Sequence, residues 1–223
     1  MLIMKSMKTL ASLLLLFTAA MPAAAKLTPP KEGPIRVAVV ITMHATMIDF
    51  AGPWEVFQDV ERNGQSAFEL YTVGEARKPV EVTGGMDIVP DYTFADAPVP
   101  HVVVVGAQMG AQAMPEWLRA MHAQGAVIFS VCTGAFKVAQ AGLLDGLSAT
   151  THHDFYDRFA QQHPKVKLVK STRWVEASPT IYTAGGLTSG IDAALHLVDL
   201  YFGRETAQRT ATYMEYESNG WKR

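Results

Sequence analysis

Cysteine is nearly absent from this 223-residue chain, which contains only Cys132. One thiol excludes an internal disulfide and a zinc site built from paired cysteines, so the fold must depend on its hydrophobic core. Basic residues are also few, with 19 Lys and Arg against 21 Asp and Glu, and they form no cluster. The net charge of −2 argues against nucleic acid or an anionic membrane as a partner and favours small-molecule chemistry or protein partners.

The N-terminal apolar run, residues 10–20, is too short to span a bilayer comfortably. Two lysines precede this run, and the small residues Ala23-Ala24-Ala25 follow it. This pattern predicts that residues 1–25 are a cleaved signal peptide rather than an uncleaved anchor. We therefore expect an exported protein, periplasmic if the source is bacterial, with no membrane attachment after cleavage.

Beyond residue 25 the sequence alternates apolar runs with helical patterns. Proline-rich residues 26–34 are a predicted linker, and residues 35–223 a single domain. Predicted strands lie at 35–42, 68–73, 101–105, 126–131, 167–169 and 181–184, with a hairpin near Gly84-Gly85. Predicted helices begin near Asp49 and lie at 115–124, 134–141, 154–162, 191–202 and 205–215. Near-continuous apolar strands separated by helices predict an α/β three-layer sandwich with a mainly parallel central sheet, whose active site lies at the carboxyl ends of the strands.

Cys132 lies where a predicted buried strand turns directly into a helix that begins at Gly134. Such a turn exposes a nucleophile above the sheet, and a small following residue lets the chain turn. The unpaired N–H groups and partial positive charge of the helix N-terminus are expected to lower the thiol pKa. An inert packing cysteine is the alternative, but it would more naturally lie within the strand than at its end. We therefore predict that Cys132 is a catalytic nucleophile.

Three separated motifs give the chain a resemblance to a known family. They are Asp49-Phe50-Ala51-Gly52-Pro53-Trp54-Glu55, Cys132-Thr133-Gly134-Ala135-Phe136 with the following Ala141-Gly142-Leu143-Leu144-Asp145-Gly146, and Thr183-Ala184-Gly185-Gly186-Leu187-Thr188-Ser189-Gly190. In this order they resemble the ThiJ/PfpI superfamily of class I glutamine amidotransferase-like proteins, and the resemblance runs from about residue 35 to residue 215. It implies a flavodoxin-like fold and a homodimer.

Within this superfamily, Asp49 in an Asp-x-x-Gly-Pro pattern is similar to the isonitrile hydratase branch. That resemblance implies the addition of water to an isocyanide to give an N-substituted formamide. Cys132 would form a thioimidate, Asp49 would act as general acid and position water, and the Thr133 hydroxyl would assist. Backbone amides around Gly106, Ala107 and Thr133 would stabilise developing charge. Capping of its helix is an alternative role for Asp49, and the two roles are compatible.

His152 and Gly186 complete the predicted pocket. A Cys–His pair is the usual means of activating a thiol, but His152 is predicted here to line the pocket rather than to catalyse. Neither a metal nor another cofactor is predicted. The adjacent residues His152, His153 and Asp154 are not expected to converge on one ion, and no nucleotide-binding glycine motif is present.

Two other functions stay open. One is glyoxalase, deglycase or amidohydrolase activity on carbonyl compounds, which a glutamate in place of Asp49 would favour. The other is non-enzymatic ligand or redox sensing, in which Cys132 is oxidised to a sulfinic acid stabilised by Asp49. Relatives of the domain also occur fused to AraC-type helix-turn-helix regions. We do not expect that role here, because the sequence ends at Arg223 and carries a predicted export signal.

Overall fold

A seven-stranded β-sheet forms the centre of the protein. The structure, a computed structural model, describes residues 26–222. In chain order the strands are β1 (Ile35–Val40), β2 (Phe68–Gly74), β3 (Tyr92–Thr93), β4 (Val102–Val105), β5 (Val127–Ser130), β6 (Trp174–Ser178) and β7 (Ile181–Ala184). Their order across the sheet is β6-β7-β5-β4-β1-β2-β3. Neighbouring strands are parallel except β6 and β7, which confirms the predicted mainly parallel sheet.

Helices cover both faces of this sheet. In the described part of the chain they are α1 (Met47–Gln58), α2 (Met114–Ala123), α3 (Gly134–Gln140), α4 (Tyr156–Gln162), α5 (Ser189–Phe202) and α6 (Arg204–Tyr213). Helices α1, α5 and α6 pack on one face, and α2, α3 and α4 pack on the other. This arrangement confirms the predicted α/β three-layer sandwich, with the predicted helices within a few residues of their expected bounds.

Alternation along the strands divides the core into two apolar layers. In β1, Val37 and Val39 face the layer that contains Phe57 of α1, whereas Ala38 and Val40 face the layer beneath α2 and α3. Successive side chains of a strand point to opposite faces, so a strand buried on both sides must be apolar throughout. This requirement explains the uninterrupted valine runs that made β1 and β4 recognisable in the sequence.

The register of the sheet brings the loops that follow four strands to one edge. Val40 pairs with Val105, Val105 pairs with Ser130, and Ser130 pairs with Thr183, so β1, β4, β5 and β7 end almost level. The segments after these ends therefore meet at the carboxyl edge of the sheet. This is the edge where the sequence placed the active site.

Two strands of the central sheet, the two-residue β3 and the edge strand β6, were not predicted from the sequence. Strand β6 lies antiparallel to β7 at the edge of the sheet and carries charged Glu176 within a half-buried stretch. Its short pattern gives little signal without the neighbouring strand. In the described part of the chain, three short two-stranded pairs lie outside the central sheet: Glu61–Arg62 with Gln65–Ser66, Val80–Glu81 with Asp87–Ile88, and Ser148–Ala149 with Lys167–Leu168. The second is the hairpin expected around Gly84-Gly85.

Both ends of the described chain pack on the domain. The predicted linker, residues 26–34, has no helix or strand, but the Leu27 N–H donates to the Leu200 carbonyl at 3.2 Å. At the other end, Trp221 is fully buried, and the Trp174 indole N–H donates to the Gly220 carbonyl at 2.9 Å. The predicted signal peptide lies outside the described residues. Within residues 26–222, no helix combines the length and the hydrophobicity that a membrane crossing requires.

Candidate active site

Cys132 lies at a strained turn between β5 and α3. Its φ of 59° lies in the left-handed region, which non-glycine residues rarely occupy. The turn is held by the Cys132 N–H, which donates to the Gly185 carbonyl at 2.8 Å, and by the Thr151 hydroxyl, which donates to the Cys132 carbonyl at 2.9 Å. The turn also requires glycine at position 134, because a Cβ there would collide with the Val105 carbonyl oxygen. The turn has the form of the predicted nucleophile elbow, in which strain is common at functional sites.

Asp49 lies in the first turn of α1 and is completely buried. The backbone N–H of Ala107 donates to its Oδ2 at 2.9 Å. A Cβ on Gly106 would lie 2.7 Å from the Asp49 Cβ, so this close approach requires glycine. The proposed capping role for Asp49 is wrong, because Thr46 occupies the cap position of α1 and Asp49 points into the site.

The second carboxylate oxygen of Asp49 is the one available for chemistry. Asp49 Oδ1 is buried and has no hydrogen-bond partner of standard geometry among residues 26–222. The Cys132 thiol and the Leu187 N–H lie close enough to lower the Asp49 pKa, as does the Ala107 N–H. Burial outweighs them and raises the pKa of Asp49 from 3.8 to about 6. Asp49 is therefore mostly ionised at pH 7, with a proton affinity suited to proton transfer.

The thiol of Cys132 is protonated in the resting protein. Burial raises the pKa of Cys132 from 9.0 to about 12, and the negative charge of Asp49 adds to this effect. The N–H groups of Thr133 and Leu187 act in the opposite direction but do not prevail. The expectation of a lowered thiol pKa was therefore wrong. The N-terminus of α3 is present as predicted, but burial and a neighbouring carboxylate are stronger influences on the thiol.

Leu187 is a site residue that the sequence analysis did not identify. It follows Gly185-Gly186 in the turn from β7 into α5, and its φ of 53° is also left-handed. This backbone conformation accompanies a Leu187 N–H that affects the pKa of both Cys132 and Asp49. The signal available in the sequence was the Gly-Gly turn at the start of a helix, which is a common way to present backbone N–H groups.

The predicted charge-stabilising amides have different roles in the structure. The Ala107 N–H is occupied by Asp49 Oδ2, so it positions the carboxylate and does not serve as a free donor. Gly106 provides the space for Asp49. The N–H groups of Thr133 and Leu187, by contrast, are directed towards the thiol. These two amides are the donors placed to stabilise charge on or next to the sulfur.

The His152 side chain packs against the turn at Gly186. Its ring fills the space beside Gly186, where a Cβ would collide with the imidazole carbon Cδ2. The backbone N–H of Asp154 donates to His152 Nδ1 at 3.3 Å, and the ring stacks on that of His153 at 4.5 Å. Within residues 26–222, His152 makes no hydrogen bond to Cys132. The structure thus brings His152 and Gly186 together and places the ring as support for the turn.

His152, His153 and Asp154 come closer together than the sequence analysis expected. One potential ligand atom from each lies within 4.8 Å of the others. The assumption that adjacent residues cannot converge was therefore wrong as geometry, because the turn entering the short 3₁₀ helix His153–Phe155 folds the side chains onto one side. His153 and Asp154 are exposed and pair with each other at 3.0 Å. We assign no metal to this surface contact.

The fold and the elbow define a class of α/β proteins in which a cysteine at a strand-to-helix turn lies beside a buried carboxylate. The model of the DJ-1/PfpI family matches residues 35–200, and the chain belongs to this family. The match begins at the first residue of β1 and ends within α5. It includes every residue of the site described above.

The individual relatives include an enzyme, transcriptional regulators and DJ-1 proteins. The chain is 29% identical over 188 residues to the isonitrile hydratase of Pseudomonas putida, covering 82% of this chain and 78% of that protein. It is 27% identical over 195 residues to the HTH-type transcriptional regulator GbdR of Pseudomonas aeruginosa, covering 85% of this chain and 53% of the regulator. A solved ThiJ/PfpI family protein from Pseudomonas syringae superposes with a TM-score of 0.69 at 24% identity, covering 92% and 85% of the two chains. This last likeness concerns the fold alone.

Proposed function

We propose that the protein is a cysteine-dependent hydratase that adds water to an isocyanide and releases an N-substituted formamide. The observation that carries this proposal is the buried Asp49 carboxyl, whose Oδ2 accepts from the Ala107 N–H, whose Oδ1 has no hydrogen bond of standard geometry within residues 26–222, and which lies close enough to the Cys132 thiol for the two groups to shift each other's pKa. An isocyanide carbon must receive both a nucleophile and a proton. The similarity to the Pseudomonas putida isonitrile hydratase supports the same chemistry.

In the first step the thiol proton passes to Asp49 as sulfur bonds to the terminal carbon of the isocyanide. The carbon then takes this proton from Asp49, which gives the thioimidate Cys132–S–CH=N–R. Because the thiol pKa is about 12 and the Asp49 pKa about 6, proton transfer is coupled to attack rather than completed before it. The Thr133 and Leu187 N–H groups stabilise the negative charge that develops on sulfur.

In the second step water adds to the same carbon. Asp49 accepts a proton from the water as the oxygen bonds to carbon, and the electron pair of the C=N bond moves to nitrogen, which takes that proton. The carbon–sulfur bond then breaks with its electron pair returning to Sγ. The hydroxyl proton reaches sulfur through Asp49, which leaves the formamide and the original thiol. One isocyanide and one water give one formamide, with no oxidant or reductant.

The test is formamide production from a simple alkyl isocyanide, followed by proton NMR. Wild type is compared with Cys132→Ala and Asp49→Asn, and Asp157→Asn serves as the control for the loss of one exposed carboxylate. We expect turnover in wild type and control, and a loss of at least a hundredfold in both site variants. Intact-protein mass spectrometry of an early quench should show the mass of one isocyanide added at Cys132. Wild type with a reduced thiol and no formamide would sink the hydratase proposal.

Ligand binding without turnover is the second candidate, because the matched regulators share this domain. The chain spans about half the length of the regulator GbdR. Absence of turnover with both isocyanides and carbonyl compounds, together with saturable binding of a small molecule to wild type, would favour this candidate. Redox sensing has less physical support, because a buried thiol with a raised pKa is slow to oxidise. Turnover of a carbonyl compound instead would favour the glyoxalase, deglycase or amidohydrolase alternative.

Export and dimerisation remain proposals. Export is supported by the lysines, the apolar run and the small residues within residues 1–25. Mass spectrometry of protein recovered from the periplasm should give a chain that begins at Lys26, and an intact N-terminus there would overturn this proposal. Light scattering of the purified protein tests the homodimer that the family resemblance implies.

A further inference from the structure

A groove adjoins the nucleophile elbow on the side of α3 that faces α4. Its volume is about 580 Å³, which is within the range of small-molecule sites. The groove is lined by Thr133, which directly follows Cys132, and by Gln108, which directly follows Ala107. It therefore starts beside the two segments that hold the reacting groups. Cys132 itself does not line the groove, so the substituent of a substrate attached to its thiol would extend past Thr133 to enter this space.

Aromatic and thioether side chains form the apolar part of the groove. Phe136 and Phe155 meet edge to face with centroids 6.4 Å apart, and both rings are partly exposed. Met109, which also lines the groove, is 56% exposed. Exposed methionine and phenylalanine side chains beside a catalytic turn are typical of a surface that packs against a ligand.

Two cations line the same groove without a carboxylate partner in the described chain. The Lys137 ammonium donates to the Gly110 carbonyl at 3.1 Å, and the Arg158 guanidinium lies 6.0 Å from the centre of the Phe136 ring. None of the residues that line the groove is acidic. The nearby Asp157 carboxylate pairs with Lys170 outside the groove, and Glu75, which approaches Gly110, lines a separate cavity.

The charge of this groove contrasts with the rest of the chain. The whole sequence has more acidic than basic residues, so two cations in one aromatic groove are a local excess of positive charge. Lysine and arginine beside aromatic rings, with no acid among them, match a ligand that has an apolar body and a negatively charged end. The charge complementarity thus indicates the class of substituent.

We propose that this groove selects isocyanides whose substituent has an aromatic or apolar body and ends in a carboxylate. The body packs on Phe136 and Phe155, and the carboxylate lies between Lys137 and Arg158. This proposal rests on the proposed hydratase function, because it assigns the substituent of the substrate of that reaction. Lys137 and Arg158 are binding residues in this assignment and take no part in bond making.

The test compares benzyl isocyanide with para-carboxybenzyl isocyanide. The readout is the ratio of kcat/KM for the carboxylated over the neutral substrate in wild type, Lys137→Gln, Arg158→Gln and the double variant. We expect a ratio above one in wild type and a drop of about fivefold for each cation removed, mainly through KM. Added salt should lower the wild-type ratio. Lys170→Gln is the matched control, since this exposed lysine lies outside the groove and should leave the ratio unchanged.

A binding measurement separates failure of the groove from failure of the chemistry. Calorimetric titration of wild type and the double variant with para-carboxybenzylformamide needs no turnover. If neither isocyanide is hydrated but wild type binds this formamide and the double variant does not, the hydratase proposal fails and the groove assignment stands. An unchanged ratio in the double variant, or equal binding by both proteins, would overturn the groove assignment.

Discussion

Replacement of Asp49 by asparagine should stabilise the protein at pH 8 while removing the proposed activity. The folded protein retains the Asp49 proton up to about pH 6, whereas an unfolded chain releases it near 3.8. Between these values the folded state binds more protons than the unfolded state. The free energy of unfolding therefore falls as the pH rises from about 4 to about 6, and the full cost of the buried charge is present above pH 6.

The size of the effect follows from the two pKa values. A difference of about two pKa units corresponds to about 3 kcal/mol between the fully protonated and fully ionised limits. Asparagine has nearly the same volume, and its carbonyl oxygen can accept the Ala107 N–H in place of Oδ2. The net cost of ionisation already includes this hydrogen bond, because the Ala107 N–H is among the groups that lower the Asp49 pKa. We therefore expect Asp49→Asn to be about 3 kcal/mol more stable than wild type at pH 8, and about equally stable at pH 4, where the Asp49 carboxyl of the folded protein is protonated.

Urea unfolding at pH 4, 6 and 8 measures this difference. The comparison between the two proteins cancels the other groups that titrate in the same range. Asp157→Asn controls for the loss of a negative charge, because the Asp157 side chain is 99% exposed. A difference between Asp49→Asn and wild type that does not change with pH, or a variant that is less stable at pH 8, would refute the assignment of Asp49 as a buried and energetically costly carboxylate.

Three further changes test the site. The pH profile of iodoacetamide alkylation at Cys132, the only thiol, should shift to lower pH in Asp49→Asn, because the Asp49 charge raises the thiol pKa in wild type. Mass spectrometry gives the rates, and a profile that does not shift or that shifts to higher pH contradicts the cause assigned to the raised pKa. Gly134→Ala should lose about 3 kcal/mol or more in urea unfolding, because its Cβ meets backbone, and a loss below 1 kcal/mol would show that the turn can relax. Gly186→Ala should lower kcat, because the added Cβ displaces the His152 ring. In the double variant, His152→Ala should restore part of the lost kcat, and additive effects of the two substitutions would rule out this contact.

The sequence by itself determined the architecture and the position of the nucleophile. Apolar runs such as those of β1 and β4 have no polar face, which only a sheet covered on both sides can accommodate. A cysteine between a buried strand and Gly134 has few conformations other than an elbow, since both the burial of the strand and the start of the helix are local properties. The pairing of Asp49 with this cysteine was available through family resemblance and not through the residues alone.

The tertiary structure decided the electrostatics of the site and the role of each backbone amide. Whether Cys132 is a thiol or a thiolate depends on the negative charge of Asp49 and on how far the surrounding core excludes water. Asp49 and Cys132 lie more than 80 residues apart in the chain. The sequence suggested the helix N-terminus as the dominant influence because that influence is local. The Ala107 N–H can donate to Asp49, and the Leu187 N–H can reach the site, only because β1, β4, β5 and β7 end at the same level of the sheet. Contacts between distant segments set the burial and the hydrogen-bond partners of each group, and these determine its pKa.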